Sequence, residues 1–193
     1  MNIFQNQFSV LNSIFRSIPF TLPILIIIQY YFYKNMYIFY LFCGTIIINF
    51  LCVPLSKKLC IPLGNYLSNI FNTEDLPFIG RFSRPIGASN TGCFYISDTN
   101  YTSTSGMPSG HCMLTTFTCV YLYYHIIDEY NISKKNKPIL FCLMLGISIY
   151  MAYTRVLMNC HTIQQTIIGS IIGFILTYYY YFYIKKNVKK YKK

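Results

Sequence analysis

Long apolar runs constrain this chain more than any other feature. Five of them cover, approximately, residues 17–33, 36–55, 109–127, 138–157 and 162–184. A helix of about 20 apolar residues is long enough to cross the hydrocarbon core of a bilayer. Hydrophobic residues make up 54% of the sequence and charged residues 11%, which excludes a disordered chain and argues against an ordinary soluble domain. The sequence therefore predicts an all-α, polytopic membrane helix bundle with about five to six transmembrane helices.

We expect a single membrane domain over residues 1–193, with connecting segments of different character. Residues 1–16 carry apolar side chains at helical spacing and are interpreted as an interfacial segment. Residues 56–107 are predicted to form a large extramembrane loop, since Pro, Gly, Asn, Ser and Thr dominate from residue 72 onward. Within that loop, residues 59–71 favour a short helix that lies on the interface or re-enters the membrane, and its insertion would give the sixth span.

The distribution of positive charge predicts the orientation. The net charge is +11, and six lysines lie in the basic tail at 185–193. With five spans, that tail shares its side of the membrane with the loop at 128–137 and Lys34. This side carries ten lysines, against six Lys and Arg on the other, so the tail is expected to be cytoplasmic. We expect the endoplasmic reticulum or another endomembrane, with loop 56–107 on the lumenal or exoplasmic side. No basic face of a soluble fold is apparent, so nucleic acid is not an expected partner.

The eight cysteines favour packing over metal chemistry. None forms a C-x-x-C pair, and most lie inside apolar runs, where cysteine behaves as a small buried hydrophobe. Cys60 and Cys93 share one polar segment, and a disulfide between them is the alternative that an oxidising compartment would allow. The same segment contains Asn100-Tyr101-Thr102, a glycosylation acceptor pattern.

Three polar clusters lie at the mouths of proposed helices on the loop side. Taken singly, each has an ordinary explanation: arginines anchor to headgroups, Pro-Ser-Gly makes a turn and a cap, and histidines pack in cores. Their members, in chain order, are Arg81 and Arg84, then Ser109, Gly110 and His111, and finally Arg155, His161 and Gln165.

Taken together, the clusters contain the groups that phosphoryl transfer through histidine requires. Arginine forks suit phosphate oxygens, and the helix opened by Ser109 and Gly110 offers free N–H groups and the positive end of its dipole. Of two histidines beside such a cradle, one can attack phosphorus while the other protonates the leaving oxygen. Gln165 lies one helical turn after His161 and can hold the ring through its other nitrogen.

These motifs resemble those of the phosphatidic acid phosphatase type 2 and vanadium haloperoxidase superfamily. The matching stretches are R-P at 84–85, P-S-G-H at 108–111 and R-x5-H at 155–161. The resemblance covers roughly residues 81–169 and implies a membrane lipid phosphatase that needs neither a metal ion nor another cofactor. It implies His161 as the nucleophile and His111 as the general acid. It further implies a phosphate-binding set formed by Arg84, Arg155, Ser109 and Gly110.

Two positions depart from the family pattern. Where the family has Lys, seven positions before the Arg of R-P, this chain has Pro77. Arg81 lies nearer and is one substitute, and Lys57 or Lys58 folding back is another. Where most members have Asp, this chain has Gln165, which can orient His161 without stabilising an imidazolium by charge. A purely orienting role predicts that Gln165→Asp retains or raises activity.

The stretches H-T-x-x-Q (161–165) and G-M-P-S-x-H (106–111) are similar to dolichyl diphosphate phosphatases. They favour a polyprenyl diphosphate substrate held among membrane lipids. The alternatives are a phosphatase for phosphatidate or sphingoid phosphate and a catalytically impaired lipid-binding protein of the same fold. A channel or transporter is disfavoured because the apolar runs carry no acidic residue to relay ions.

Overall fold

The structure is a computed structural model that describes residues 3–73, 75–76, 79–85, 88, 93 and 105–191. Pro77 and the acceptor pattern at Asn100 therefore lie outside the described residues. Six α-helices account for most of the described chain, and they confirm an all-α membrane bundle. Their bounds are α1 Ile3–Tyr33, α2 Met36–Ile47, α3 Val53–Phe71, α4 Gly110–Glu129, α5 Lys137–Leu157 and α6 Ile163–Tyr191.

Helices α2 and α3 form one rod, joined by a π-helical turn at Ile48–Cys52. Pro54 follows this turn; it lacks an N–H, and its ring would crowd the carbonyl of Phe50 in a regular helix. The expectation that the second helix ends near residue 55, with a separate short helix at 59–71, is therefore wrong. Ser and Lys residues lower the hydropathy at 56–58 but do not break a helix. At 36 residues, the rod is about 54 Å long and exceeds the bilayer core of about 30 Å.

A small hairpin follows α3. Asn72 ends the helix in the left-handed conformation (φ 50°), and strands β1 (Asp75–Leu76) and β2 (Gly80–Arg81) then pair antiparallel. Gly80 has φ 75°, a value that glycine adopts without a steric penalty. The hairpin delivers residues 81–85 to the mouth of the bundle.

Three segments of the described chain are long and apolar enough to cross a membrane: Met36–Phe71, Lys137–Leu157 and Ile163–Val188. Ser17–Tyr33 is a shorter apolar helix. The third predicted run, now α4, has a different character, since eleven of its residues are buried and they include two histidines and three threonines. A helix enclosed by other helices does not need a lipid-facing apolar surface, which explains its lower hydropathy.

Helix α4 lies at the centre of the bundle and packs most closely against α6. A Cβ on Gly169 would lie 2.5 Å from the carbonyl oxygen of Ser109, and one on Gly173 would overlap the carbonyl of Met113. Glycine at these two positions lets the helices approach backbone to backbone. The buried core continues away from the polar clusters through Ile26, Ile38, Leu41, Ile48, Met113, Leu114, Phe117, Tyr121 and Tyr181.

Candidate active site

The turn between α5 and α6 determines the spacing of Arg155 and His161. Arg155 lies in the last turn of α5, and Asn159 is left-handed with φ 53°. The N–H of Cys160 donates to the carbonyl of Arg155 (3.0 Å) and that of Asn159 to the carbonyl of Val156 (2.9 Å). This is the Schellman pattern of hydrogen bonds, which reverses the chain at a helix end. The fully buried Arg155 and the 4% exposed His161 thus occupy the two sides of one tight turn.

A capping box begins α6 directly after His161. The N–H of Gln165 donates to Thr162 Oγ1 (3.3 Å), and the N–H of Thr162 donates back to Gln165 Oε1 (3.2 Å). Thr and Gln at this spacing satisfy each other's backbone donors and fix where the helix begins. Gln165 is therefore part of the helix cap as well as a neighbour of the histidine.

The Gln165 side chain is fully buried and connects His161 to the hairpin. Its Nε2 donates to the carbonyls of Arg81 (2.7 Å) and Ser83 (2.6 Å), while its Oε1 lies 3.1 Å from His161 Nδ1. Two carbonyl acceptors determine which end of the amide carries the hydrogens, so the oxygen faces the imidazole. Nδ1 must then be the protonated nitrogen of a neutral ring, and Nε2 keeps its lone pair.

The start of α4 also meets Gln165. The N–H of Ser109 donates to the Gln165 carbonyl (3.1 Å), and the N–H groups of Gly106 and Met107 donate to the carbonyl of Phe82 (2.9 and 3.1 Å). Ser109 is the N-cap residue of α4, and its hydroxyl makes no capping bond to the helix within the described chain. His111 follows in the first turn and is 7% exposed. All three polar clusters therefore meet at one end of the bundle, around Gln165.

Lys57 is one of the three residues that the sequence offers as a substitute for the missing family lysine. On α3, Val53 packs against the start of α4, where its Cγ1 would lie 2.9 Å from a Cβ on Gly110. About three turns farther, Gly64 packs against the Phe82 ring of the hairpin. Lys57 lies between these contacts on the same helix face and is half-buried, whereas Lys58 is exposed.

Arg81 meets Gln165 through its backbone. Its backbone carbonyl accepts from Gln165 Nε2. Among the described residues, the cations that act on His161 are Arg84, Lys57 and Arg155. Because its charge acts on His161 and its side chain is half-buried, Lys57 is a candidate for the place of the missing family lysine.

Burial and positive charge together keep His161 neutral. The pKa of His161 is lowered to about 3, and burial is the main cause. The charges of Arg84 and Lys57, and to a smaller extent of Arg155, also lower it, whereas the hydrogen bond to Gln165 raises it. Burial also lowers the pKa of Arg84, to about 10, so this group stays charged near neutrality. A neutral imidazole whose pKa is lowered by three cations is suited to meeting an anionic electrophile.

A disulfide joins Cys93 to Cys160 beside this site. The alternative pairing of Cys60 with Cys93 is wrong, because Cys60 is a free cysteine on α3. The interpretation of Cys160 as a packing residue is also corrected, although the side chain is fully buried. Both partners lie outside the apolar runs and on the predicted lumenal side, and this shared location was the available sequence signal.

An apolar cavity of about 920 Å³ lies between α4, α5 and α6. It reaches the site at Thr166, the residue after Gln165, and extends along α6 as far as Phe174. Over those residues a helix advances about 12 Å. Its lining is mainly aliphatic and aromatic, as in Val120, Tyr123, Leu145, Ile149 and Ile167. A hydrocarbon chain could occupy it while a polar head lies at the clustered cations.

Comparisons with known proteins bear on the fold and the family of this chain. The structure resembles the crystal structure of the first transmembrane PAP2 type phosphatidylglycerolphosphate phosphatase from Bacillus subtilis, with a TM-score of 0.54. The likeness covers 96% of this chain and 79% of that chain at 16% sequence identity, and it supports a common fold. No curated protein sequence matches this chain. The family model of the PAP2 superfamily matches residues 58–189, which include all three clusters. With most of its length covered, the chain belongs to the PAP2 superfamily and has the fold of an integral membrane phosphatase.

Proposed function

We propose that this protein is a membrane lipid phosphatase that hydrolyses a polyprenyl diphosphate, of the dolichyl type, through a phosphohistidine. The observation that carries the proposal is the meeting of separate segments at the Gln165 amide, which lies 3.1 Å from His161 Nδ1 and donates to the carbonyls of Arg81 (2.7 Å) and Ser83 (2.6 Å). The charges of Arg84, Lys57 and Arg155 lower the pKa of His161 at this place. A phosphate placed among these cations would face an imidazole nitrogen with an available lone pair.

The first chemical step assigns a role to each histidine. His161 Nε2 attacks the terminal phosphorus and forms a P–N bond. At the same time the bond between that phosphorus and the bridging oxygen of the diphosphate breaks. The leaving oxygen takes a proton from His111, the general acid, and departs as the lipid monophosphate. Water then attacks the phosphohistidine while His111 accepts its proton, which releases inorganic phosphate and restores His161.

The cations and the helix end stabilise charge rather than react. Arg84 and Arg155 can each grip two phosphate oxygens, and Lys57 adds a compact point charge. The hydroxyl of Ser109 and the first N–H groups of α4, beginning at Gly110, supply further donors at the positive end of the helix dipole. This set neutralises the phosphate without a metal ion, so we expect chelators to have no effect.

Two features favour a diphosphate lipid among lipid phosphates. A diphosphate head carries more negative charge than a monoester, and three cations suit that excess. The cavity that begins beside Gln165 offers apolar walls for a long chain. Together with the similarity of residues 106–111 and 161–165 to dolichyl diphosphate phosphatases, they support a polyprenyl chain over a diacylglycerol.

We place the site on the lumenal or exoplasmic side of the endoplasmic reticulum or a related endomembrane. Ten lysines on the tail side against six Lys and Arg on the site side support this orientation. The disulfide between Cys93 and Cys160 supports it independently, because disulfides persist in oxidising compartments.

A substrate panel tests the proposal directly. Purified protein in mixed micelles would be given dolichyl diphosphate, phosphatidate, a sphingoid phosphate and a soluble aryl phosphate, each with and without a chelator. We expect the highest kcat/KM for dolichyl diphosphate and equal rates with the chelator. Faster phosphate release from phosphatidate or the sphingoid phosphate than from dolichyl diphosphate would make that lipid the substrate class instead. If no lipid phosphate is hydrolysed, the chain is the lipid-binding alternative rather than an enzyme.

Lys57 provides a matched pair of variants. We expect Lys57→Ala to lower kcat/KM for the best lipid by about 10- to 100-fold, the usual cost of losing one charged hydrogen bond to a ligand. Lys57→Arg should recover much of this loss because the charge is kept. Lys58→Ala serves as the control. Lys58 is the next residue and its side chain is exposed, so this variant should match the wild type. Equal activities for Lys57→Ala and Lys58→Ala would exclude Lys57 from phosphate binding.

A further inference from the structure

Both halves of the disulfide contact Arg155. The N–H of Cys160 donates to the Arg155 carbonyl (3.0 Å), and Arg155 Nη1 donates to the carbonyl of Cys93 (3.5 Å). Cys160 also directly precedes His161 in the chain. The covalent bond therefore holds a residue of the connecting segment against the turn that carries two members of the proposed site.

The Arg155 side chain is held in part by the disulfide-bonded segment, through the carbonyl of Cys93. Its guanidinium is fully buried, and arginine has many rotamers to lose on being fixed. Its Nη2 also contacts Met158 Sδ (3.3 Å), and a thioether is a weak acceptor. The carbonyl of Cys93 is a stronger acceptor, and the S–S bond keeps that carbonyl within reach.

We propose that the Cys93–Cys160 disulfide is a positioning element for Arg155, so that the enzyme binds phosphate well only in its oxidised form. This inference rests on the proposed function, because it assigns Arg155 to phosphate. The bond forms when two cysteine thiols exchange with a disulfide of the compartment, which is reduced to two thiols as they are oxidised. Dithiothreitol reverses this by two exchanges, leaving both cysteines as thiols and the reagent as a cyclic disulfide.

The main experiment compares reduced and oxidised protein. Peptide mass mapping without reductant should find the 93–160 link, and dithiothreitol should release both thiols. Reduced wild type and Cys93→Ala should each show about a tenfold or larger rise in the inhibition constant of inorganic phosphate and a matching fall in kcat/KM. Cys93→Ala should be insensitive to the reductant. Cys142→Ser is the control, because Cys142 is an exposed free cysteine whose loss should change nothing.

A double-mutant cycle separates positioning from general stability. In an Arg155→Ala background, removing Cys93 should cost no further phosphate affinity, because the group it positions is already absent. An additive loss would overturn the proposal. So would reduced wild type, with both thiols confirmed by mass, that binds phosphate as the oxidised protein does. Where Cys93→Ala fails to fold, reduction of folded wild type decides the question.

The outcome is independent of whether turnover is found. If wild type hydrolyses no lipid phosphate, the proposed function fails, yet titration with inorganic phosphate still reports whether reduction weakens anion binding. If reduction abolishes turnover but leaves phosphate affinity unchanged, the positioning role is contradicted. The proposed phosphatase function of the oxidised protein would still stand.

Discussion

His161→Ala is expected to lower phosphate release from the best lipid substrate by at least about 10⁴-fold, the scale on which removing a covalent nucleophile acts. His161 is 4% exposed and is held by Gln165 through Nδ1, so its Nε2 is the nitrogen that can attack. Burial and the surrounding cations keep the ring neutral, since they lower its pKa to about 3. Alanine removes the attacking atom and leaves the cations, so substrate should still bind.

The third histidine of the chain supplies the control. His125 is buried in α4 and stacks on Tyr37 with ring centroids 5.1 Å apart. His125→Phe keeps that stacking and should retain activity. Quenching the reaction with labelled substrate should trap an acid-labile phosphoenzyme in wild type and in His125→Phe, and none in His161→Ala. Substantial turnover by His161→Ala would remove it as the nucleophile.

Local sequence signals predicted the elements that carry the site. Apolar runs predicted α4, α5 and the start of α6 to within about two residues, because the hydrocarbon core fixes how long a spanning helix must be. Gln165 was expected one turn from His161, and helical geometry brings them together as the spacing indicates. The position of each cluster at a helix mouth follows from cap and turn residues, which act over a few positions.

Long-range relations could not be predicted in the same way. Hydropathy reports which solvent a segment meets, so the fall at residues 56–58 marked a change of surroundings while the helix continued to Phe71. That continuation is what carries Lys57 back to the site, a placement that depends on Val53 packing against Gly110. The pairing of Cys93 with Cys160 spans 67 residues, and no local pattern specifies it.

At Gln165 the structure adds hydrogen bonds to the hairpin to the orienting role that the sequence suggests. If Gln165 only oriented His161, Gln165→Asp would retain or raise activity, because a carboxylate accepts from Nδ1 and also stabilises the imidazolium. However, its Nε2 donates to the buried carbonyls of Arg81 and Ser83, and a carboxylate has no hydrogen to donate. Each carbonyl left without a partner costs about 1–3 kcal/mol. Two such losses outweigh a gain of about 1–2 kcal/mol from one partly screened charge contact.

We therefore expect Gln165→Asp to lower kcat/KM by about 10²- to 10³-fold and to reduce thermal stability. Gln165→Glu separates the two causes, since it keeps the length of the side chain and removes only the N–H donors. It should lose activity as well, and the loss should shrink as the pH falls and the carboxyl gains a proton that it can donate to one carbonyl. Gln164→Glu is the matched control. Gln164 is the preceding residue and its side chain is exposed, so kcat/KM should not change. Activity of Gln165→Asp at or above wild type would show that orientation of His161 is the whole role of Gln165, and that the hairpin keeps Arg84 in place without the amide.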